Sequence, residues 1–269
     1  MAETALPPDD PRGAVEQLMR RHGGTIYGLG LRLCGSPEDA EEMVQETFLQ
    51  AFRHWRQFEG RSRPTTWLYT IARRVCQRQN RPRAGEPATL EPLDELLPGR
   101  DGQLADLDSS DLEATPFSAR LRHEAAATIE RALGELPLDF RMPLVLVDIA
   151  ELSIAETATV LELPKNTVKT RVHRARLKLR KILDASLPQK DEPATQPATV
   201  CYTMLRAKLD ALDRGVDLPY SDEALCARCR SVFATLDLGR DVCVAFGRGE
   251  LPVHVRAAVE TALASAVTD

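Results

Sequence analysis

Long apolar runs are missing from this 269-residue chain. No stretch approaches the roughly 20 residues that a membrane-crossing helix needs, so no membrane partner is expected. Aromatic residues are only 5% of the chain and β-branched runs are scarce, while Ala, Leu, Arg and Glu dominate, so an all-α fold is expected. Histidine is sparse, and no histidine or carboxylate cluster accompanies the cysteines, which disfavours a zinc enzyme. The opening MAETALPPDDPRG is acidic and proline-bearing where a signal peptide would be basic and then apolar, so a cytoplasmic location is expected. In that reducing compartment six cysteines read as thiols or metal ligands ahead of structural disulfides. With 18 prolines and 15 glycines there is punctuation enough for linkers, and the length allows two or three small domains.

What the chain does have is a charge anomaly. From Ser153 to Lys181 it reads SIAETATVLELPKNTVKTRVHRARLKLRK, two short helices around a tight turn. Ser153 and Glu156 form a capping-box pattern, and Pro164 ends the first helix by Leu163. Asn166 or Thr167 is expected to cap the second. Val168, Val172, Ala175, Leu179, Ile182 and Leu183 fall at helical spacing and give that helix one buried stripe. Lys165, Lys169, Arg171, Arg174, Arg176, Lys178, Arg180 and Lys181 are expected to stay exposed, with no acid among them. On a chain of formal net charge -5 this cluster matches phosphate binding by the second helix of a helix-turn-helix, and a merely solvated basic face is the weaker reading.

The stretch LPLDFRMPLVLVDIAELSIAETATVLELPKNTVKTRVHRARLKLRKIL resembles region 4 of bacterial sigma factors of the extracytoplasmic-function class, with TVKTRVHRAR its most specific part. The resemblance implies that the span from Lys165 to Arg176 reads the minus-35 promoter element. Lys165, Asn166, Thr167, Lys169, Thr170, Arg171, Arg174 and Arg176 are the residues assigned to DNA. Family members often have glycine where Glu162 and Asn166 stand. The same resemblance implies core RNA polymerase and promoter DNA as partners.

Earlier in the chain, Val15, Leu18, Met19, His22, Ile26 and Leu29 mark a first amphipathic helix, with His22 structural. Ser36, Pro37, Glu38 and Asp39 start a second helix, whose stripe is Val44, Phe48, Ala51, Phe52 and Trp55. Its other side is acidic, and an acidic surface suits a basic partner. SPEDAEEMVQETFLQAF is similar to the part of sigma region 2 that grips polymerase, which implies contacts through Asp39, Glu42, Gln45 and Glu46. FEGRSRPTTWLYTIARRVCQRQNRPR then turns basic. A basic loop beside an aromatic residue suits single-stranded DNA. The segment resembles the minus-10 reading part of region 2, implying DNA contacts by Arg61, Arg63, Arg73 and Arg74, with Trp67 mostly core.

Periodicity fails from Ala84 to Ser118, where nine acids face Arg100 alone, so a disordered acidic tether is expected there. The expected organisation is region 2 at 12–83, this linker at 84–118, region 4 at 119–187, a second linker at 188–198 and a further helical module at 199–269. That module holds Cys201, Cys226, Cys229 and Cys243, and C-x-x-C lets two thiolates reach one soft cation. Four thiolates would suit zinc or cadmium, and two or three would satisfy copper(I). The module resembles the cysteine-rich C-terminal domain of CorE-like sigma factors, implying metal control without a separate anti-sigma protein. A thiol redox-responsive sigma factor and a free-standing helix-turn-helix regulator stay open as alternatives.

Overall fold

The computed structural model describes residues 10–34, 36–60, 62–79, 89–99 and 102–266. The helices in chain order are α1 (Pro11–Leu33), α2 (Pro37–His54), α3 (Pro64–Gln79), the single turn α4 (Leu93–Leu96), α5 (Pro116–Gly134), α6 (Leu138–Leu144), α7 (Ile154–Leu161), α8 (Lys165–Ser186), α9 (Ala198–Arg214), α10 (Ala227–Gly247) and α11 (Val253–Ser265). A π-helical turn, Val145–Ile149, prolongs α6, and two three-residue strands, β1 (Gln103–Ala105) and β2 (Gln189–Asp191), pair antiparallel. The expected all-α architecture is what the chain adopts.

The chain divides into two compact units, the first made of residues 1–85, 155–163 and 245–269. Asp10 caps α1 by accepting from the Gly13 amide, and Ser36 caps α2 by accepting from the Asp39 amide. Val15, Leu18, Ile26 and Leu29 on α1, Val44 and Phe48 on α2, and Leu68, Ala72 and Val75 on α3 are buried where these three helices pack together. Cys34 and Cys76 are buried, as expected of small apolar residues. His22 lies edge-on to Tyr69 at 6.3 Å, and burial, aided by Arg21, pushes its pKa down. The chain's end returns to this unit. α11 packs on α2, with Val255, Val259 and Leu263 buried and His254 2.9 Å from Glu41. Gly24 faces the Gly249 carbonyl with no room for a Cβ, and Thr25 Oγ1 donates to the Gly247 carbonyl at 2.8 Å.

The second unit comprises residues 86–154 and 164–244. Thr115 and Ser118 form a capping box at the start of α5. α5 and α6 pack on α8, whose inner stripe of Val168, Val172, Ala175, Leu179 and Leu183 is buried as the spacing predicts. α8 begins earlier than predicted: Pro164, two residues ahead of Asn166, takes the N-cap position and its carbonyl accepts from the amides of Thr167 and Val168 at 3.0 and 3.1 Å. The acidic stretch predicted to be a disordered tether is folded over its described part. Leu96, Leu104 and Leu107 are buried, and β1 is held to β2 by backbone pairing. Apolar burial of leucines at irregular spacing outweighs the charge that the composition emphasised. Leu96, Leu104 and Leu177 join Leu205, Leu209, Val232 and Phe233 in one core.

Candidate functional site

On the second unit the basic side of α8 is in close contact with its own chain. Lys165, Asn166 and Thr170 are exposed, and Thr167 is half-buried. Lys169 Nζ lies 2.8 Å from Asp210, Arg171 lies 2.9 Å from Asp139, and His173 Nε2 lies 2.7 Å from Asp213. Arg174 donates to the Glu91 carbonyl at 2.6 Å and stands over the Phe140 ring, while Lys178 pairs with the Glu91 carboxylate. Burial pushes the Asp213 carboxyl up, but hydrogen bonds from His173 and Arg176 and their charges outweigh it and hold the group below its ordinary range.

Arg176 corrects the sequence reading. It was expected on the exposed DNA side, yet it is 4% exposed and bridges Asp148 at 2.6 Å to Asp213 at 2.6 Å. Arg180 is likewise buried. Asp148 sits in the π-helical turn and Asp213 on α9, so a guanidinium between them is neutralised on both sides; helical spacing alone could not reveal partners from distant segments.

On the first unit Arg63, Arg73 and Arg74 also meet acids. Arg63 pairs with Glu156, and Arg73 and Arg74 lie 2.9 and 3.1 Å from Glu162. A hydrogen bond from Arg74, with the charges of Arg73 and Arg74, holds the Glu162 carboxyl below its ordinary range. Glu162 adopts φ 58°, a left-handed conformation that favours glycine. Arg61 lies outside the described residues. Trp67 is half-buried, packed on Phe58 with centroids 5.3 Å apart, and edges an open cleft of about 630 Å³ that Arg74, Arg78 and Gln50 also line. Asp39 and Glu42 are exposed on α2 and Gln45 and Glu46 half-buried, with Glu46 3.8 Å from Arg78.

The structure gathers three of the four predicted thiols. Cys201, in the first turn of α9, meets Cys226 and Cys229, their sulfurs within 4.8 Å of one another. Cys226 precedes α10 and its carbonyl accepts from the Arg230 amide at 3.0 Å, which makes it the N-cap. Burial pushes its thiol up, and hydrogen bonds from the Cys229 amide and thiol and from Thr195 overcome this to hold it below the ordinary range. Burial, then the neighbouring Cys226 and Cys201, push Cys229 up. The two thiols of the C-x-x-C are thereby shifted in opposite directions, Cys226 toward thiolate and Cys229 toward thiol. Cys243 does not join them: it is buried 14 residues beyond Cys229 on the unbroken α10, about 21 Å along the axis. Three soft donors from two segments can hold a metal ion. His173, Asp210 and Asp213 are also close enough for one, but Lys169 and Arg176 already occupy those carboxylates, so that group is an ion-pair network.

Residues 18–84 match the family model for Sigma-70 region 2, and residues 126–179 that for Sigma-70, region 4. The chain is 32% identical over 176 residues to the RNA polymerase sigma-H factor of Pseudomonas aeruginosa, covering 65% of this chain and 88% of that one. It is 34% identical over 158 residues to the ECF RNA polymerase sigma factor SigW of Bacillus subtilis, covering 59% and 82%. A solved structure of CnrH in complex with the cytosolic domain of CnrY is similar with a TM-score of 0.46 and 26% identity, over 66% of this chain and 91% of that one. No helix among the described residues is long and apolar enough to cross a membrane.

Proposed function

We propose, on the premise that this chain belongs to the extracytoplasmic-function sigma factors and directs RNA polymerase in initiating transcription at promoter DNA, that its own C-terminal thiols regulate that activity by binding a soft metal ion. Residues 12–83 and 119–187 are the promoter-reading regions, 84–118 and 188–198 the linkers, and 199–269 the regulatory module. Asp39, Glu42, Gln45 and Glu46 meet polymerase. Arg61, Arg63, Arg73 and Arg74 follow the melted strand, and Lys165, Asn166, Thr167, Lys169, Thr170, Arg171 and Arg174 face the duplex. The work done is binding, without a chemical step. Regulation from within the chain needs no separate anti-sigma protein, and it suits a cytoplasmic factor.

The observation that carries the metal reading is the convergence of Cys201, Cys226 and Cys229 within 4.8 Å. Three thiolates match copper(I), whereas zinc or cadmium would take a further donor to complete four. Bound metal would also draw off the proton that Cys229 retains. A second reading, a Cys226–Cys229 disulfide switch, draws on the same C-x-x-C at the start of α10.

Run-off transcription with core polymerase under strictly reducing conditions, with copper(I), zinc and cadmium supplied separately, tests both. The expected result is a specific transcript whose yield changes with one metal, and a response lost in Cys226→Ser and Cys229→Ser while polymerase binding persists. A yield indifferent to every metal but responsive to oxidant would replace the metal reading with the redox one. DNA binding at full affinity without core polymerase would point instead to a free-standing regulator.

A further inference from the structure

The inner stripe of α8 runs through Val168, Val172 and Ala175. Leu177 stands nine residues after Val168, and at about 100° per residue that is half a turn away from the stripe. It should face solvent, on the side a helix-turn-helix presents to DNA. Yet Leu177 is 2% exposed, packed in one core with Leu205 and Leu209 of α9. α8 is therefore buried on two opposite sides, and the second burial is shared by α9 of the C-terminal module with Leu96 and Leu104 of the acidic stretch.

Polar contacts flank this apolar seam. Asp210 and Asp213, on the same helix as Leu205 and Leu209, lie 2.8 Å from Lys169 and 2.7 Å from His173. The space left between α8, α9 and the turn α4 is a cleft of about 560 Å³, bounded by Lys169, Thr170 and Arg174 of α8, Tyr202 and Arg206 of α9, and Leu93 of α4. A recognition helix enters a major groove about 12 Å wide with its outer side toward the base edges.

We infer that α9 is an intramolecular latch whose acidic and apolar face, built from Asp210, Asp213, Leu205 and Leu209, takes the place of DNA on the reading side of α8. Duplex readout and the α8–α9 contact exclude each other, so promoter binding by this region requires α9 to leave. The carboxylates stand in for phosphates toward Lys169 and His173, and the leucines hold the helix down. The inference rests on the reading of α8 as the duplex-binding helix.

The test uses the full chain and a short random-sequence duplex, because freed cations raise non-specific affinity as well as specific affinity. Fluorescence anisotropy compares the native chain with Asp210→Asn/Asp213→Asn and with a control, Glu113→Gln/Asp217→Asn, that removes the same charge from exposed sites off α8. We expect the latch variant to bind about tenfold more tightly, within the usual range of coupling between sites, with a steeper salt dependence. The control should gain little, and adding Lys169→Ala to the latch variant should reverse part of its gain. If the latch and control variants gain equally, or neither gains, while Arg171→Ala still weakens binding, the latch is wrong and the reader stands. If Arg171→Ala and Lys169→Ala change nothing in any background, the reading of α8 itself fails. Should the double variant melt early by circular dichroism, Asp210→Asn alone, on the solvent-facing rim, carries the comparison, and unchanged affinity there overturns the inference.

Discussion

Replacing Arg176 with alanine should damage folding well before it damages DNA contact. The guanidinium is 4% exposed and bonds Asp148 through two nitrogens, at 2.6 and 2.9 Å, and Asp213 through a third, at 2.6 Å. Without it, Asp148, 3% exposed, is left as a buried charge whose partner is gone, and breaking a buried pair in this way costs about 3–5 kcal/mol. For a unit of roughly 150 residues each kcal/mol lowers Tm by about 2–4 °C, so a fall of roughly 6–20 °C is expected. Thermal unfolding followed by circular dichroism reads it directly. Arg176→Lys should recover only part, since a point charge cannot make the same fork. The acid limb supplies a second readout. A carboxyl held below its unfolded pKa, as Asp213 is, contributes stability that is complete above about pH 4 and is lost as pH falls through the depressed value. The native chain should therefore lose stability below about pH 4, and the alanine variant should show a shallower loss. An Arg176→Ala chain that melts within about 2 °C of the native one, yet no longer binds DNA, would refute the reasoning and return this arginine to the DNA surface.

Titration with copper(I) or cadmium, followed by sulfur-to-metal absorbance, should show weakened binding in Cys201→Ser and Cys226→Ser and unchanged stoichiometry in Cys243→Ser; loss in the last would contradict the three-thiol site. Glu162→Gly relieves a left-handed glutamate and frees Arg73 and Arg74, so holoenzyme should capture single-stranded DNA more tightly; equal affinity would mean the pairs do not compete with DNA. Gly24→Ala places a methyl against the Gly249 carbonyl, an overpacking that costs about 1–3 kcal/mol, and limited proteolysis between α10 and α11 should speed up; an unchanged cleavage rate would show that this close approach is dispensable.

The start of α2 was legible in the sequence because capping is local, with Ser36 and Pro37 announcing it within four residues, whereas α8 starts after Pro164 without a side-chain cap. The inner stripe of α8 was legible for a similar reason, since Val168, Val172, Ala175 and Leu179 repeat at one helical period. What could not be read depends on partners remote in sequence. Leu177 breaks the stripe's spacing, and its burial is explained by α9 together with Leu96 and Leu104, all remote in sequence. Arg176 looks like its basic neighbours until Asp148 and Asp213 are placed beside it. Cys243 shares a residue type with Cys229, but an unbroken helix between them sets a separation that composition does not encode. The acidic stretch hid its leucines because their spacing follows neither a helix nor a strand, although Leu96 and Leu104 interrupting a run of acids were a signal of burial.

Arg228 lies between Cys226 and Cys229 in sequence, and its guanidinium holds the carbonyls of Gly99, Gly102 and Glu192. Those carbonyls come from the two segments that carry β1 and β2, before and after the helix-turn-helix, so one side chain reels in slack on both sides of it. Any chemistry that rotates the first turn of α10 while drawing sulfurs together would pay out both lines together, and a single event at the thiols would then change how far two separate stretches of chain can reach.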